Sequence, residues 1–235
     1  MRKYELTEET KTLADGTVLH RIRALRDISR YGVKAGDLGG LIEKENNLSQ
    51  DGDAWVSGDA WVSGDATVSG DAKVYGNAWV YGDATVYDDA QVSGYAKVYG
   101  NAWVYGNAWV FNNARVFGNA KVYGDAQVYG DARVCDIALV SGDARVYGDA
   151  TVYGNAKVSA NSDYMVIKNT WSSCRWFTYT SSNRMWRVGC FYGTGEELVK
   201  KAYADSELSG KCYEAIVRAV ETIEAAKAEA KGETK

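Results

Sequence analysis

A hexapeptide repeat over residues 52–159 constrains this chain more than any other feature. Its eighteen copies run without insertion and follow the pattern Gly-Asp/Asn-Ala-x-Val-Tyr/Ser, with alanine third and valine fifth in every copy. Positions two apart lie on the same side of a β-strand, so we expect Ala and Val to face inward and the variable residue between them to face outward. Glycine followed by Asp or Asn favours the left-handed backbone of a bend. Three units can therefore close one triangular coil, and the repeat predicts about six coils.

The hexad resembles the repeat of the bacterial hexapeptide-repeat proteins, in which the aliphatic residue and the small residue two before it point inward. This resemblance covers nearly half of the chain and implies a left-handed parallel β-helix, so we expect a mainly β protein. Residues 33–43 and 47–50 resemble the start of a poorly characterised subgroup, found in bacteria and phages, whose members are often labelled transferases. Residues 188–197 resemble a small domain attached to such repeats in phage-encoded proteins. A shared fold alone does not establish a reaction.

The segment before the repeat, residues 1–51, predicts an N-terminal β cap and a leading coil. Alternating residues indicate strands over 3–8 and 17–25, with a turn signal at Asp15-Gly16 between them. Ile42 and Leu48 fall on the alanine phase of the later hexads, which places the start of a first, distorted coil near Leu41.

The segment after the repeat, residues 160–235, predicts a small α+β domain. Aromatic and β-branched residues indicate three strands, over residues 164–171, 175–180 and 185–191. Two helices follow, because Thr194 and Glu197 have the spacing of a capping box and an apolar stripe recurs at helical spacing. The stripe consists of Ile216, Val217, Val220 and Ile223. We expect the tail after Ala226 to fray.

Charge and length exclude several classes of protein. The formal net charge is −4, and the repeat alone carries seven basic and twelve acidic residues, so bulk positive charge does not drive nucleic-acid binding. No stretch approaches the roughly 20 apolar residues of a membrane span, and the N-terminus has no apolar signal core. We therefore expect a cytoplasmic protein. One histidine and four scattered cysteines predict reduced thiols, no metal site and no cofactor.

An enzymatic function has little support in the residues. The resemblance implies that acyltransferases of this type use a histidine base near a subunit interface, often beside a loop extruded from the coils. Here the only histidine is His20, in the second cap strand, and the eighteen hexads contain no loop. We expect a half-exposed strand residue there rather than a general base. An acyl- or nucleotidyltransferase nevertheless stays an alternative, and a structural spacer is another.

The outward positions sort into three faces when every third hexad is taken together. The first face carries Trp61, Trp79, Lys97, Arg115, Arg133 and Thr151, the second Trp55, Lys73, Gln91, Trp109, Gln127 and Arg145, and the third Thr67, Thr85, Trp103, Lys121, Leu139 and Lys157. On the first face, Lys97, Arg115 and Arg133 lie beside Tyr99 and Phe117. This column is a candidate site for an anionic or planar ligand, because guanidinium groups and rings together suit phosphates and bases. The alternative is that rings one coil apart only cover each other.

Two further groups are candidates. Five residues on two predicted neighbouring strands suggest a basic and aromatic binding surface, and the alternative is a half-buried sheet face; they are Arg175, Trp176, Arg184, Trp186 and Arg187. One corner of the prism carries stacked carboxylates that could take up cations or mimic a phosphate backbone, and the alternative is that they simply face water. This acidic corner consists of Asp53, Asp71, Asp89, Asp125 and Asp143, with Asn107 between them.

The sequence thus favours a non-catalytic binding protein. We expect phage association, with a host protein or a nucleotide as the partner, and a counter-defence role as an inhibitor or a sponge. Exposed aromatic residues also predict a homo-oligomer.

Overall fold

The computed structural model describes residues 2–171 and 174–232. The chain forms two compact units, Met1–Asn161 and Ser162–Lys235. The first is a parallel β-solenoid with an antiparallel cap, and the second combines an antiparallel sheet with two helices. No helix in the described ranges has the length and apolarity to cross a membrane.

The solenoid consists of eighteen two-residue strands, one in each hexad. In chain order, β4 to β21 are Trp55–Val56, Trp61–Val62, Thr67–Val68, Lys73–Val74, Trp79–Val80, Thr85–Val86, Gln91–Val92, Lys97–Val98, Trp103–Val104, Trp109–Val110, Arg115–Val116, Lys121–Val122, Gln127–Val128, Arg133–Val134, Leu139–Val140, Arg145–Val146, Thr151–Val152 and Lys157–Val158. Every third strand belongs to the same parallel sheet, so three sheets run along the axis.

The hexad positions have the roles that the sequence predicts. Every alanine and valine of the repeat is fully buried, so these residues face the interior of the coils. Each bend has a positive φ, and where glycine is replaced, Asp88, Asn112 and Asp136 adopt φ values of 57°, 59° and 64°. Backbone N–H groups donate to the next coil along the axis, as from Trp55 to the carbonyl of Ala72 at 2.9 Å. The predicted parallel β-helix is therefore confirmed.

The cap continues the first of these sheets. Strands β1 (Tyr4–Thr12), β2 (Val18–Ala24) and β3 (Leu38–Ile42) are antiparallel neighbours, and β3 then pairs in parallel with β5. Short 3-10 helices cover Ser29–Tyr31 and Glu45–Asn47. The eighteen hexads form the six predicted coils, and with the leading coil included the solenoid has about seven turns.

The phase of the leading coil differs from the expectation. Ile42 pairs with Val62 and Leu48 with Val68, so both residues occupy the valine phase rather than the alanine phase. The stretch from Leu48 to Val56 is two residues longer than one hexad. This insertion shifts the phase because register, not residue count, decides which side chain points inward.

The C-terminal unit contains four strands where three are predicted. They are β22 (Tyr164–Lys168), β23 (Trp176–Thr180), β24 (Met185–Val188) and β25 (Phe191–Gly193), and each pairs antiparallel with the next. The third predicted strand divides because Gly189, with φ +58°, turns the chain between β24 and β25. A 3-10 helix at Asn161–Asp163 precedes the sheet.

Two helices follow the sheet, as predicted. Thr194 caps α1 (Gly195–Asp205) in a capping box with Glu197. The second helix, α2 (Glu207–Gly232), continues past Ala226, so the expected fraying does not occur there; residues 233–235 of the predicted tail lie outside the described range. Phe177, Trp186, Leu198, Tyr213 and Val217 are among the buried residues of this unit's core.

Candidate functional site

The first solenoid face brings the predicted cations together. Strand register places Lys97 opposite Arg115 and Arg115 opposite Arg133, on neighbouring strands about 4.8 Å apart. We call Lys97, Arg115 and Arg133 the basic column. Both arginines are exposed, and the Lys97 ammonium lies 3.6 Å from the ring centroid of Trp79. Burial against that ring, together with the charge of Arg115, lowers the pKa of Lys97.

The basic column lacks ion-pair partners in the part of the chain that the structure describes. Across residues 2–171 and 174–232, none of its three side chains forms an ion pair or a hydrogen bond. Like charges directly opposite on neighbouring strands destabilise a sheet. The column is therefore an uncompensated row of positive charge on a rigid surface, which an external anion can neutralise.

The rings beside this column cover one another. Tyr81, Tyr99 and Phe117, which we call the ring ladder, stack with centroids 4.9 Å apart at both steps. The interplanar angles are only 3° and 1°, and each ring is half-buried. At this spacing no gap remains for a base between successive rings. The ladder shows the covering arrangement, which is one of the two alternatives that the sequence left open.

The acidic corner shows the opposite electrostatic situation at its N-terminal end. Arg30 forms ion pairs with Asp71, at 3.0 Å, and with Asp89, and Arg26 lies 3.4 Å from Asp53. These two arginines come from the cap, so the protein itself supplies the cations there. Further along the corner, the side-chain amide of Asn107 donates to Asp125 at 2.9 Å. The carboxylates at the N-terminal end of the corner are thus neutralised by arginines of the same chain, in contrast to the cations of the basic column.

His20 lies on β2, where it is half-buried. Its Nδ1 is 3.4 Å from the carbonyl oxygen of Thr7. This placement matches the strand residue that the sequence predicts.

The five C-terminal candidates do not form one surface. Trp186 is 2% exposed and packs in the core, whereas its neighbour Arg187 projects from the other side of β24. Arg175 lies beside Gly189, and Trp176 is half-buried with Lys168 5.1 Å from its ring centroid. Strand alternation therefore separates the tryptophan and the arginine that follow each other at 186 and 187.

Arg184 and Trp186 do share a cleft, together with residues that the sequence pattern did not indicate. Its volume is about 540 Å³, and it lies within the C-terminal unit, between the β23–β24 hairpin and α2. Besides these two residues, the lining includes Asp163, Tyr179, Ser181, Gly195, Glu221, Glu224, Ala225, Lys227 and Ala228. Glu221, Glu224 and Lys227 are spaced three residues apart, which places them on one side of a helix. This spacing is the sequence feature that could have indicated that they lie together.

Part of the cleft is internally neutralised. Lys227 pairs with Glu224 and donates to the carbonyl oxygen of Ser162 at 2.7 Å, and the Ser181 hydroxyl donates to Glu224 at 3.1 Å. Burial raises the pKa of Tyr179, and the charge of Glu224 adds to this effect. Glu224 and Lys227 therefore connect α2 to the β23–β24 hairpin and to Ser162, and their charges are neutralised within the unit.

Comparison with known proteins identifies the repeat. Residues 78–94, 138–154 and 144–160 match a family model described as the YdcK beta solenoid repeat. No curated protein matches the chain. The match and the fold together identify a β-solenoid repeat protein.

Proposed function

We propose that this protein is a non-catalytic binding protein whose first solenoid face engages an acidic surface of a partner protein. One observation carries the proposal: three cations in register on a rigid sheet form no ion pair in the described part of the chain. Like charges in register destabilise a sheet, so such a column is better explained by binding to a partner than by stabilisation of the solenoid.

A protein partner fits this face better than a nucleotide does. Base recognition by stacking needs an open ring face, and the ring ladder has successive centroids only 4.9 Å apart. The Trp79 ring already has the Lys97 ammonium over it. The accessible chemistry is thus guanidinium groups and ring edges, which match a flat surface bearing carboxylates.

The resemblance of residues 33–43 and 188–197 to phage-borne proteins supports a proposal about the biological role. We propose a phage-encoded protein that acts in the host cytoplasm and inhibits or sequesters a host protein. We also propose that several copies associate, because aromatic residues such as Tyr95 and Trp103 are exposed on the solenoid, at 64% and 41%. Light scattering coupled to gel filtration tests the association, and a monomer at micromolar concentration would contradict it.

The binding proposal is tested with a fluorescein-labelled peptide of consecutive glutamates as the acidic probe. Fluorescence anisotropy compares the wild type with Arg115→Glu and with a matched control, Lys121→Glu on the third face. Both variants change the net charge equally, and both lie in the middle of the solenoid. We expect Arg115→Glu to weaken binding at least about tenfold and Lys121→Glu to leave it nearly unchanged.

Three outcomes would overturn the proposal. Equal weakening by both variants would show that net charge, rather than the basic column, attracts the peptide. Tighter binding of a labelled ATP analogue than of the peptide, lost in Arg115→Glu, would replace the protein partner by a nucleotide. Transfer of an acyl group from acyl-coenzyme A at a rate above background would favour the transferase instead.

A further inference from the structure

The cleft of the C-terminal unit is lined by two opposite charges that form no ion pair within the described residues. The Arg184 guanidinium and the Glu221 carboxylate both line it, and both residues are exposed. Within the described residues neither forms an ion pair or a hydrogen bond, with each other or with any other side chain. The other charged pair on α2, Glu224 and Lys227, is satisfied internally. A cation and an anion thus line the same cleft without forming an ion pair with each other.

The floor of the cleft adds two hydrogen-bond donors. Tyr179 and Trp186 are 6% and 2% exposed, and their rings lie 5.1 Å apart. In the described part of the chain, neither the Tyr179 hydroxyl nor the Trp186 indole N–H has a hydrogen-bond partner. No fully buried side-chain nitrogen or oxygen there lacks a partner, so the small exposed fraction of each residue includes its polar atom. Both donors therefore open into the cleft.

We infer that the cleft binds a small zwitterion of the amino-acid type. The carboxylate of the ligand would accept from Arg184 and from the donors of Tyr179 or Trp186, and its ammonium would face Glu221. An apolar side chain would rest on Ala225 and Ala228, which are exposed and line the cleft. A volume of about 540 Å³ lies in the range of small-molecule sites. This site is independent of the basic column, which belongs to the other unit.

The test uses isothermal titration of the full chain with L-leucine and L-phenylalanine. Two leucine derivatives separate the charges: leucinamide lacks the carboxylate, and N-acetyl-L-leucine lacks the ammonium. We expect a free amino acid to bind and each derivative to bind at least about tenfold more weakly. Arg184→Gln and Glu221→Gln should each weaken the amino acid by a similar factor.

Matched variants keep the result specific. Arg187→Gln alters an arginine on the opposite face of β24, and Glu229→Gln alters a glutamate two turns further along α2; neither should change binding. The circular dichroism melt of each variant without ligand reports whether the unit still folds. Absence of binding by both amino acids at about 10 mM would overturn the inference. So would N-acetyl-L-leucine binding as tightly as L-leucine, which would indicate a site for anions alone.

Discussion

The solenoid and the C-terminal unit use aromatic side chains in opposite ways. On the solenoid the rings stand outside the core in parallel ladders, as at Tyr99 and Phe117, where the interplanar angle is 1°. In the C-terminal unit the rings form the core and meet edge to face, with Phe177 at 88° to Trp186 and 73° to Tyr213. One arrangement repeats along an axis, whereas the other closes around a single centre.

This difference predicts different responses to damage. Each solenoid coil contacts only its neighbours, so stability is close to a sum of small, similar contributions. The C-terminal unit depends on a few large side chains, and removing one leaves a cavity that the rest cannot fill. A residue of the same type should therefore matter far more in the second unit than on the solenoid surface.

Two phenylalanines give the largest expected contrast. Phe177→Ala removes a fully buried ring and should destabilise the C-terminal unit by about 3–5 kcal/mol. Phe117→Ala removes a half-buried ring at the end of the ring ladder and should lower stability by only about 1 kcal/mol. Hydrogen exchange read by mass spectrometry can follow each unit separately. Equal losses of protection in the two variants would show that the two units respond to the loss of a ring in the same way.

Two bend glycines test whether damage in the solenoid is local. Gly52 and Gly148 have nearly the same backbone, with φ +68° and +65°. A Cβ at Gly52 would lie 2.3 Å from the carbonyl oxygen of Gly70, whereas a Cβ at Gly148 would meet nothing within 4 Å. The left-handed backbone alone should lower the free energy of unfolding of both alanine variants by about 1 kcal/mol. In Gly52→Ala the close contact adds to this strain, so the total loss should be about 2–3 kcal/mol.

Hydrogen exchange again provides the measurement. Protection should fall in the coils that adjoin Gly52 and stay unchanged in the C-terminal unit. If Gly148→Ala were as damaging as Gly52→Ala, backbone strain alone would explain both, and the close approach of neighbouring coils would add nothing.

The solenoid could be predicted from its sequence almost in full because the repeat fixes the register. A slip by one residue would turn every Ala and Val outward, so only one pairing buries the core. The same pairing puts Lys97, Arg115 and Arg133 in one column, because residues eighteen apart lie on neighbouring coils of one face. Ring contacts were not predictable in the same way, because the spacing of Tyr99 and Phe117 leaves open whether rings cover each other or stay available.

The C-terminal unit shows where such prediction ends. Local pattern located its strands, but the turn at Gly189 and the inward side of Trp186 follow from packing against α1 and α2. The cleft needs α2 to lie across the β23–β24 hairpin, and no local signal gives that contact. Two units of one chain thus differ in predictability because one is specified by neighbouring repeats and the other by long-range packing.

A buried lysine in the N-terminal cap makes the stability of the protein depend on pH. Lys3 is fully buried, and its ammonium donates to the carbonyl oxygen of Ala54 at 2.9 Å. Burial and the nearby Arg26 lower its pKa from 10.5 to about 8. Between these values the unfolded chain binds more protons than the folded one, so this residue makes stability rise as pH increases from about 8 to 10.5.

Urea denaturation of the wild type and of Lys3→Met, from pH 7 to pH 10, isolates this contribution. The difference in unfolding free energy should be flat below about pH 8 and then favour the wild type by at most about 1.4 kcal/mol per pH unit. Tyr4, whose pKa is raised by burial, acts in the opposite direction but is present in both proteins. A difference that stays constant across this range would show that Lys3 is not desolvated.

The smallest expected effect separates the compensated corner from the basic column on the same solenoid. Arg30→Gln removes the cation between Asp71 and Asp89, so the melting temperature of the solenoid should fall slightly at low salt and match the wild type at about 1 M salt. Arg115→Gln removes a cation between two others, so the melting temperature should stay the same or rise at low salt. Differential scanning calorimetry at two salt concentrations measures both. A fall in Arg115→Gln equal to that in Arg30→Gln would mean that the basic column stabilises the solenoid itself, which would remove the reason to assign that column to a partner.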